Sequence, residues 1–375
     1  MAEVFFALED LGGKAYLFRA LLTPVPNLPQ VLDWAKCFTA RGDQPPLTGK
    51  VPPVSNRRIT EDDSSLVICA DLVACRRFDK ELSIDTPGLG TQKAKLSICL
   101  PKDQSSKVNR KPLILVLEGG GFVLGEPKDG KKNDQKLSDE IGAIVVSVDY
   151  AKSPRHEYPH ALLQIYIVLK WALSIEAELQ GLWIDPAQVA IMGNSAGGNL
   201  TAALTLLLSF TSGPCAKFRT ALGPRFRQVL QVLLYPSTEL HHPYSTRFER
   251  SSPEVKEKSL PVWVAGMMEA CYLPPCVDKN QIFIAPLLAE VPLLKELEIP
   301  PAIILTAGLD CLKEEAVSYS RKLKEAGHAA LLTEYPLAIH GFTHYQPGNK
   351  EYREDDVIGS WNEIIEALKA AFKGK

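Results

Sequence analysis

A serine hydroxyl is a poor nucleophile at its ordinary pKa. It needs a base to take its proton and a carboxylate to orient that base. The run VAIMGNSAGGNL sets Ser195 inside Gly193-Asn194-Ser195-Ala196-Gly197, between an apolar run and a segment of helical pattern. This G-x-S-x-G spacing suits a sharp strand-to-helix turn, where side chains at the flanking positions would strike neighbouring backbone. The helix that follows would aim its free N–H groups and positive dipole end at the serine. Of the seven histidines, His340 follows the last strand-like run, in YPLAIHGF, and precedes the last helical segment. Asp310 ends IILTAGLD, the preceding strand-like run, with room before His340 for one helix and one strand. There it would hold the His340 ring in one tautomer and stabilise the imidazolium formed on proton transfer.

Acyl transfer also builds negative charge on a carbonyl oxygen, and one aligned donor can stabilise it by about 3 kcal/mol. The Ala196 N–H, just after the nucleophile, is one candidate donor, and the glycine-rich loop in LVLEGGGFVLG, Leu115 to Gly125, offers others. Glu118 stands directly before those glycines. A carboxylate there should oppose oxyanion formation unless it is protonated or turned away. A phosphate cradle is the weaker reading, because the lysine and Ser/Thr of a P-loop are missing. His344 lies one helical turn from His340 with no third metal ligand in sequence range, so no metal is expected. Glu314 and Glu315 read as first-turn acids that suit a helix dipole. His241 and His242 read as solvated.

These residues need a scaffold. From about residue 85 the chain alternates strand-like runs (AKLSICL, LILVL, AIVVSVDY, VAIMG, VLQVLLYP, AIILTAG) with helical segments (HALLQIYIVLKWALSI, GGNLTAALTLLLSF, KEEAVSYSRKLKEAG). The LILVL run is apolar throughout, as a strand buried on both faces should be. The last segment carries Val357, Trp361, Ile364, Ile365, Leu368 and Phe372 on one stripe of 3.6 period. Such alternation predicts an α/β fold with a mainly parallel sheet flanked by helices. Two stretches break it. Residues 1–80 contain a helical spacing at Val31, Trp34, Ala35 and Phe38 and a Pro-rich run, and residues 239–282 form a long connector rich in Trp, Met and Tyr. Both are expected to be helical caps over a core of residues 81–238 and 283–375, since long insertions are commonly lids.

The bulk numbers exclude some functions. With 375 residues, 46% apolar, 23% charged and a net charge of -2, the chain has an ordinary globular composition and no electrostatic footprint of a nucleic-acid binder. The expected partner is a small-molecule substrate, and monomer and homodimer are both compatible. The N-terminus lacks the basic start and unbroken apolar stretch of a signal peptide, and no run reaches the roughly 20 apolar residues needed to span a bilayer. The expected location is cytoplasmic, without stable membrane insertion. The eight cysteines show no zinc spacing, and Cys271 and Cys276 read as buried free thiols.

The order Ser195, Asp310, His340 is that of the α/β-hydrolases. From about residue 80 onward the chain resembles their hormone-sensitive-lipase-like, esterase and carboxylesterase branch. EGGGF is similar to that family's H-G-G-G-[FW] and GNSAGG to its G-D-S-A-G-G. VDYAKSPRHEYPHA, DCLKEE and YPLAIHGF are similar to its remaining motifs, in the same order. The resemblance implies the α/β-hydrolase fold, Ser195, Asp310 and His340 as catalytic triad, and Gly120, Gly121 and Ala196 as oxyanion-hole donors. It also implies no metal or organic cofactor and a pocket roofed by the two caps. Glu118 in place of the family histidine, Asn194 in place of the acid, and Ala151 and Arg155 in place of an Arg and a Glu are departures. Glu118 is expected to face away from the hole and make a structural hydrogen bond. The implied activity is a serine esterase for small, largely apolar esters. Alternatives on the same fold are a lyase, cyclase or acyl transferase of secondary metabolism, with Glu118 as a spare acid/base group, and a non-catalytic ligand receptor.

Overall fold

The computed structural model describes residues 76–86, 90–102 and 110–373, and the backbone of two strands nearer the N-terminus. Those strands, β1 (Glu3–Glu9) and β2 (Ala15–Leu21), pair antiparallel. The sequence reading named no strand here. Both runs are rich in aromatic and β-branched or aliphatic residues (VFFAL, AYLF), which favour extended pairing. The helical spacing at Val31 to Phe38 and the Pro-rich run lie outside the described residues.

The main sheet has eight strands in the order β10-β9-β8-β7-β5-β6-β4-β3. These are β3 (Arg77–Thr86), β4 (Gly90–Cys99), β5 (Lys111–Leu117), β6 (Ile144–Asp149), β7 (Ile184–Asn194), β8 (Gln228–Leu234), β9 (Ala302–Leu309) and β10 (Ala330–Ile339). Neighbours from β10 to β6 run parallel, and β4 and β3 add an antiparallel edge. The sheet therefore begins at Arg77, a few residues before the boundary read at 81. β5 sits between β6 and β7, so the chain leaves it first to one side and then to the other. At such a reversal the loops after adjacent strands diverge and leave a crevice at the strands' C-terminal ends.

The apolar strands serve two cores because side chains alternate across a sheet. In β5, Leu113, Leu115 and Leu117 pack on one layer with α2 (His160–Ala172) and α3 (Ala196–Ser209), while Ile114 and Val116 face the other. The second layer contains Leu137 of α1 (Lys131–Ile141) and Trp361, Ile364, Ile365 and Leu368 of the C-terminal helix (Glu354–Lys373).

The connector after β8 forms three helices, α4 (Tyr244–Glu249), α5 (Pro253–Lys258) and α6 (Val262–Tyr272). It is pinned by a buried charge cluster. Arg247 of α4 donates to Glu315 at 3.1 Å, to Ser237 Oγ at 3.1 Å and to Glu269 of α6. Glu315 lies in the first turn of α7 (Lys313–Glu325) and also accepts the Thr238 N–H at 2.6 Å. Its role is therefore more than the dipole complement expected of it, whereas Glu314 is open to solvent. Cys271 and Cys276 are free, but neither is fully buried: Cys271 of α6 is half-buried, and Cys276 is exposed on the loop beyond the end of α6. No helix among the described residues is long and apolar enough to cross a membrane.

Candidate active site

Ser195 occupies the turn between β7 and α3 with φ 53° and ψ -117°. A positive φ is costly for a residue with a side chain and persists only where its surroundings enforce it. They do so here. A Cβ on Gly193 would run into the Gly197 carbonyl, and one on Gly197 into the Leu117 carbonyl of β5. Two adjacent parallel strands and one helix start thus converge where only glycine fits, and the Ser195 N–H is tied to the Leu234 carbonyl of β8 at 2.9 Å.

The structure brings Ser195, His340 and Asp310 together. His340 Nε2 lies 2.8 Å from Ser195 Oγ, and His340 Nδ1 lies 2.6 Å from Asp310 Oδ2. The second carboxylate oxygen of Asp310 accepts the Leu312 N–H at 3.0 Å. Asp310 and His340 are both buried. An ionised Asp310 can only accept, so Nδ1 carries the proton and Nε2 is left to accept the serine hydroxyl. The edge of Tyr235 packs against the His340 ring.

The glycine loop follows β5 beside this turn. Gly120 and Gly121 have φ +114° and +61°, and Phe122, with φ 65°, stacks flat on Tyr272 of α6 at 3.7 Å between ring centres. The Gly119 N–H is taken by Asn194 Oδ1. No acceptor among the described residues takes the N–H groups of Gly120, Gly121 or Ala196, and all three residues line the same cavity as Ser195 and His340. The cavity holds about 510 Å³. Its apolar side comes from Leu240, Leu260, Val264, Ala265, Met268 and Leu312. Met268 of α6 lies directly over Gly121, where a Cβ would strike its sulfur.

Glu118 is buried, and its carboxylate accepts from Asn194 Nδ2 at 3.2 Å and contacts His344 Nε2 at 3.1 Å. His344 is the residue sequence reasoning missed. Its spacing from His340 points only to a metal pair, but the 3₁₀ turn Phe342–His344 turns its ring toward Glu118 instead. Burial alone would lower its pKa, but Glu118, then Asp134 and Asp129, raise it above the usual histidine value. Asp134 of α1 is also buried, and desolvation followed by the charge of Glu118 holds its carboxyl well above the ordinary aspartate range. Glu118 and Asn194 are each visible as departures from a motif, but their pairing with a residue 150 positions beyond Asn194 has no local signal.

His241 and His242 are half-buried rather than fully solvated, their rings tilted against one another at 4.1 Å between centres. With Glu239 they bring three possible metal ligands within 4.8 Å of one another. Glu239 Oε1 is already engaged by His242 at 2.7 Å and Arg250 at 2.9 Å.

A family model described as alpha/beta hydrolase fold matches residues 114–344. Carboxylesterase NlhH of Mycobacterium tuberculosis (strain CDC 1551 / Oshkosh) is 29% identical over 235 residues, which cover 62% of this chain and 67% of that protein. Ethyl acetate hydrolase of Pseudomonas putida is 28% identical over 258 residues, or 68% of this chain and 72% of that protein. Among solved structures, a thermostable esterase from Pseudomonas putida ECU1011 superposes with a TM-score of 0.64 at 26% identity, over 79% of this chain and 84% of that one.

Proposed function

The chain belongs to the alpha/beta hydrolase fold family, and from that premise we propose that it is a carboxylic ester hydrolase working through an acyl-enzyme on Ser195. The observation that carries this is the unbroken hydrogen-bonded chain from Asp310 through His340 to Ser195, opening onto a largely apolar cavity. Two of its relatives, a carboxylesterase and an ethyl acetate hydrolase, support the same reading.

Ser195 Oγ attacks the ester carbonyl carbon while its proton passes to His340 Nε2. Asp310, hydrogen-bonded to Nδ1–H, stabilises the imidazolium. The carbonyl oxygen becomes an oxyanion facing the N–H groups of Gly120, Gly121 and Ala196, each donor contributing about 3 kcal/mol to the transition state. Collapse breaks the bond to the alcohol oxygen, which leaves with the proton from His340. Water then gives a proton to His340 and attacks the acyl-enzyme, and the acid departs as Ser195 recovers its proton. The helices of residues 239–282 act as a cap that shapes the pocket for small, largely apolar esters, since α6 lies over the glycine loop and Arg247 clamps α4 and α6 to the core.

The biosynthetic alternatives draw on Glu118 as a spare acid/base group, but its carboxylate is occupied by Asn194 and His344. A receptor of this fold would have no need of the complete serine-histidine-aspartate chain.

The test is turnover of p-nitrophenyl acetate and butyrate. Ser195→Ala should lower kcat by about 10⁶-fold, and an organophosphonate should label the unaltered chain at Ser195 and not the variant. A folded protein that neither turns over these esters nor takes the label would rule the proposal out.

A further inference from the structure

We propose that His344, paired with Glu118, is a positioning residue for the oxyanion loop: it neutralises the carboxylate beside the hole and holds Asn194 against Gly119. The inference rests on the ester-hydrolase reading and goes beyond it.

Asn194 joins the two parts. It directly precedes Ser195, and its Oδ1 accepts the N–H of Gly119, the first glycine of the loop. That contact fixes the amide orientation, because a flipped Asn194 would set its own N–H against that of Gly119. Nδ2 must then face Glu118 and His344. An amide N–H cannot donate to a protonated ring nitrogen, so with His344 charged it donates to Glu118 Oε2. The same oxygen accepts from His344 Nε2, and the other ring nitrogen, Nδ1, has Thr343 Oγ1 at 2.9 Å and the Tyr235 hydroxyl at 3.2 Å as acceptors. Both ring nitrogens of His344 and Oε2 of Glu118 then have partners. The backbone of Glu118 is held as well, since the Tyr150 hydroxyl donates to its carbonyl at 2.8 Å.

The charge arithmetic points the same way. The groups facing His344 are Glu118 at the end of β5, Asp134 on α1, Asp129 in the loop before α1, and the Tyr235 hydroxyl after β8. Burial and then the charge of Glu118 push the Asp134 carboxyl well above the ordinary aspartate range, and burial pushes the Tyr235 phenol up. Of these acids Glu118 is the one in contact with the ring, its Oε2 lying 3.1 Å from Nε2. Uncompensated, it would repel the oxyanion across a buried, weakly screened gap. A protonated His344 cancels that repulsion. Because its folded pKa is raised, the imidazolium persists above the usual value of 6.5 and is lost only as pH climbs through the raised value. The compensation should fail on the alkaline side and lower kcat there, while KM changes little.

Steady-state hydrolysis of p-nitrophenyl acetate by the full chain, between about pH 6 and pH 9, tests this. His344→Gln should lower kcat about 10- to 100-fold with KM within about twofold, the size expected from misplacing oxyanion donors. The double variant Glu118→Gln with His344→Gln removes both charges. It should recover most of the lost kcat and show no alkaline decline. If His344→Gln keeps the kcat and pH profile of the unaltered chain, or the double variant is no better than the single, the inference fails while the hydrolase reading stands. If the unaltered chain neither hydrolyses ester nor takes the phosphonate label, it is the hydrolase reading that fails. Should His344→Gln not fold, ring-nitrogen NMR on the unaltered chain decides: His344 titrating with the alkaline decline of kcat supports the role, and kcat unchanged across that titration overturns it.

Discussion

Ser195 holds a left-handed backbone conformation that costs a side-chain-bearing residue of order 1–3 kcal/mol, and two neighbouring glycines without room for a Cβ keep it there. Strain of this kind directs the hydroxyl out of the turn toward His340. The His340 tautomer depends in turn on one acceptor, Asp310 Oδ2. Asp310→Asn offers an amide that can present its N–H to Nδ1 and stabilise the wrong tautomer, so kcat should fall about 10⁴-fold with the fold intact, measured by steady-state kinetics beside circular dichroism. Asp134 makes a different prediction. Its folded pKa is raised, so below the ordinary value of 3.8 both folded and unfolded chains are protonated and nothing is lost. Above that value the unfolded chain ionises while the folded one resists, so stability drains away as pH rises. Asp134→Asn should therefore raise the urea midpoint at pH 7.5 relative to the unaltered chain, and the advantage should shrink as pH falls toward 4. An advantage that is constant with pH would contradict this.

Between elements, the site depends on adjacency. Ser195 follows β7 and the glycine loop follows β5, and these strands are hydrogen-bonded neighbours. The G-x-S-x-G and glycine-loop segments could be read locally because each is short and its glycines answer a local crowding problem. Which side chains of the 239–282 insertion point inward could not, because α6 is apolar around most of its circumference and carries no clear stripe. The buried Arg247 that binds this insertion to Glu315 and Glu269 had no sequence signal either. Removing one member of a buried ion pair leaves the other charge desolvated. Arg247→Ala should cost about 3–5 kcal/mol in urea unfolding, and less when combined with Glu315→Gln. A loss below about 1 kcal/mol would place the pair among inconsequential surface contacts.

At the level of the whole molecule, the C-terminal helix reaches the site without lining the cavity beside Ser195. Trp361 is buried in the second core layer, and its Nε1–H donates to the Thr343 carbonyl at 2.9 Å, holding the turn that carries His344. Trp361→Ala should destabilise the fold by about 3–5 kcal/mol and lower kcat at temperatures where the variant is still folded. Chemical denaturation together with kinetics at 15 °C checks both. Lost stability with unchanged kcat would show that the turn holds its place without the helix.

The amino-acid sequence alone determined the sheet's apolar strands, the flanking helices, the sharp turn at Ser195 and the order Ser195, Asp310, His340. Each of these is written in local periodicity or in a glycine that only one backbone shape requires. It showed a helical spacing at Val31 to Phe38 and marked no strand at residues 3–9 and 15–21, which pair antiparallel. Strand pairing depends on a partner segment as well as on local pattern. Only the tertiary structure decided the surroundings of Glu118. Asn194 lies 76 residues from it in sequence and His344 lies far beyond, and they meet because β5, β7 and the turn after β10 end at one edge of the sheet. A buried carboxylate takes its charge partner from wherever the fold supplies one, and no spacing rule in a single sequence records that choice.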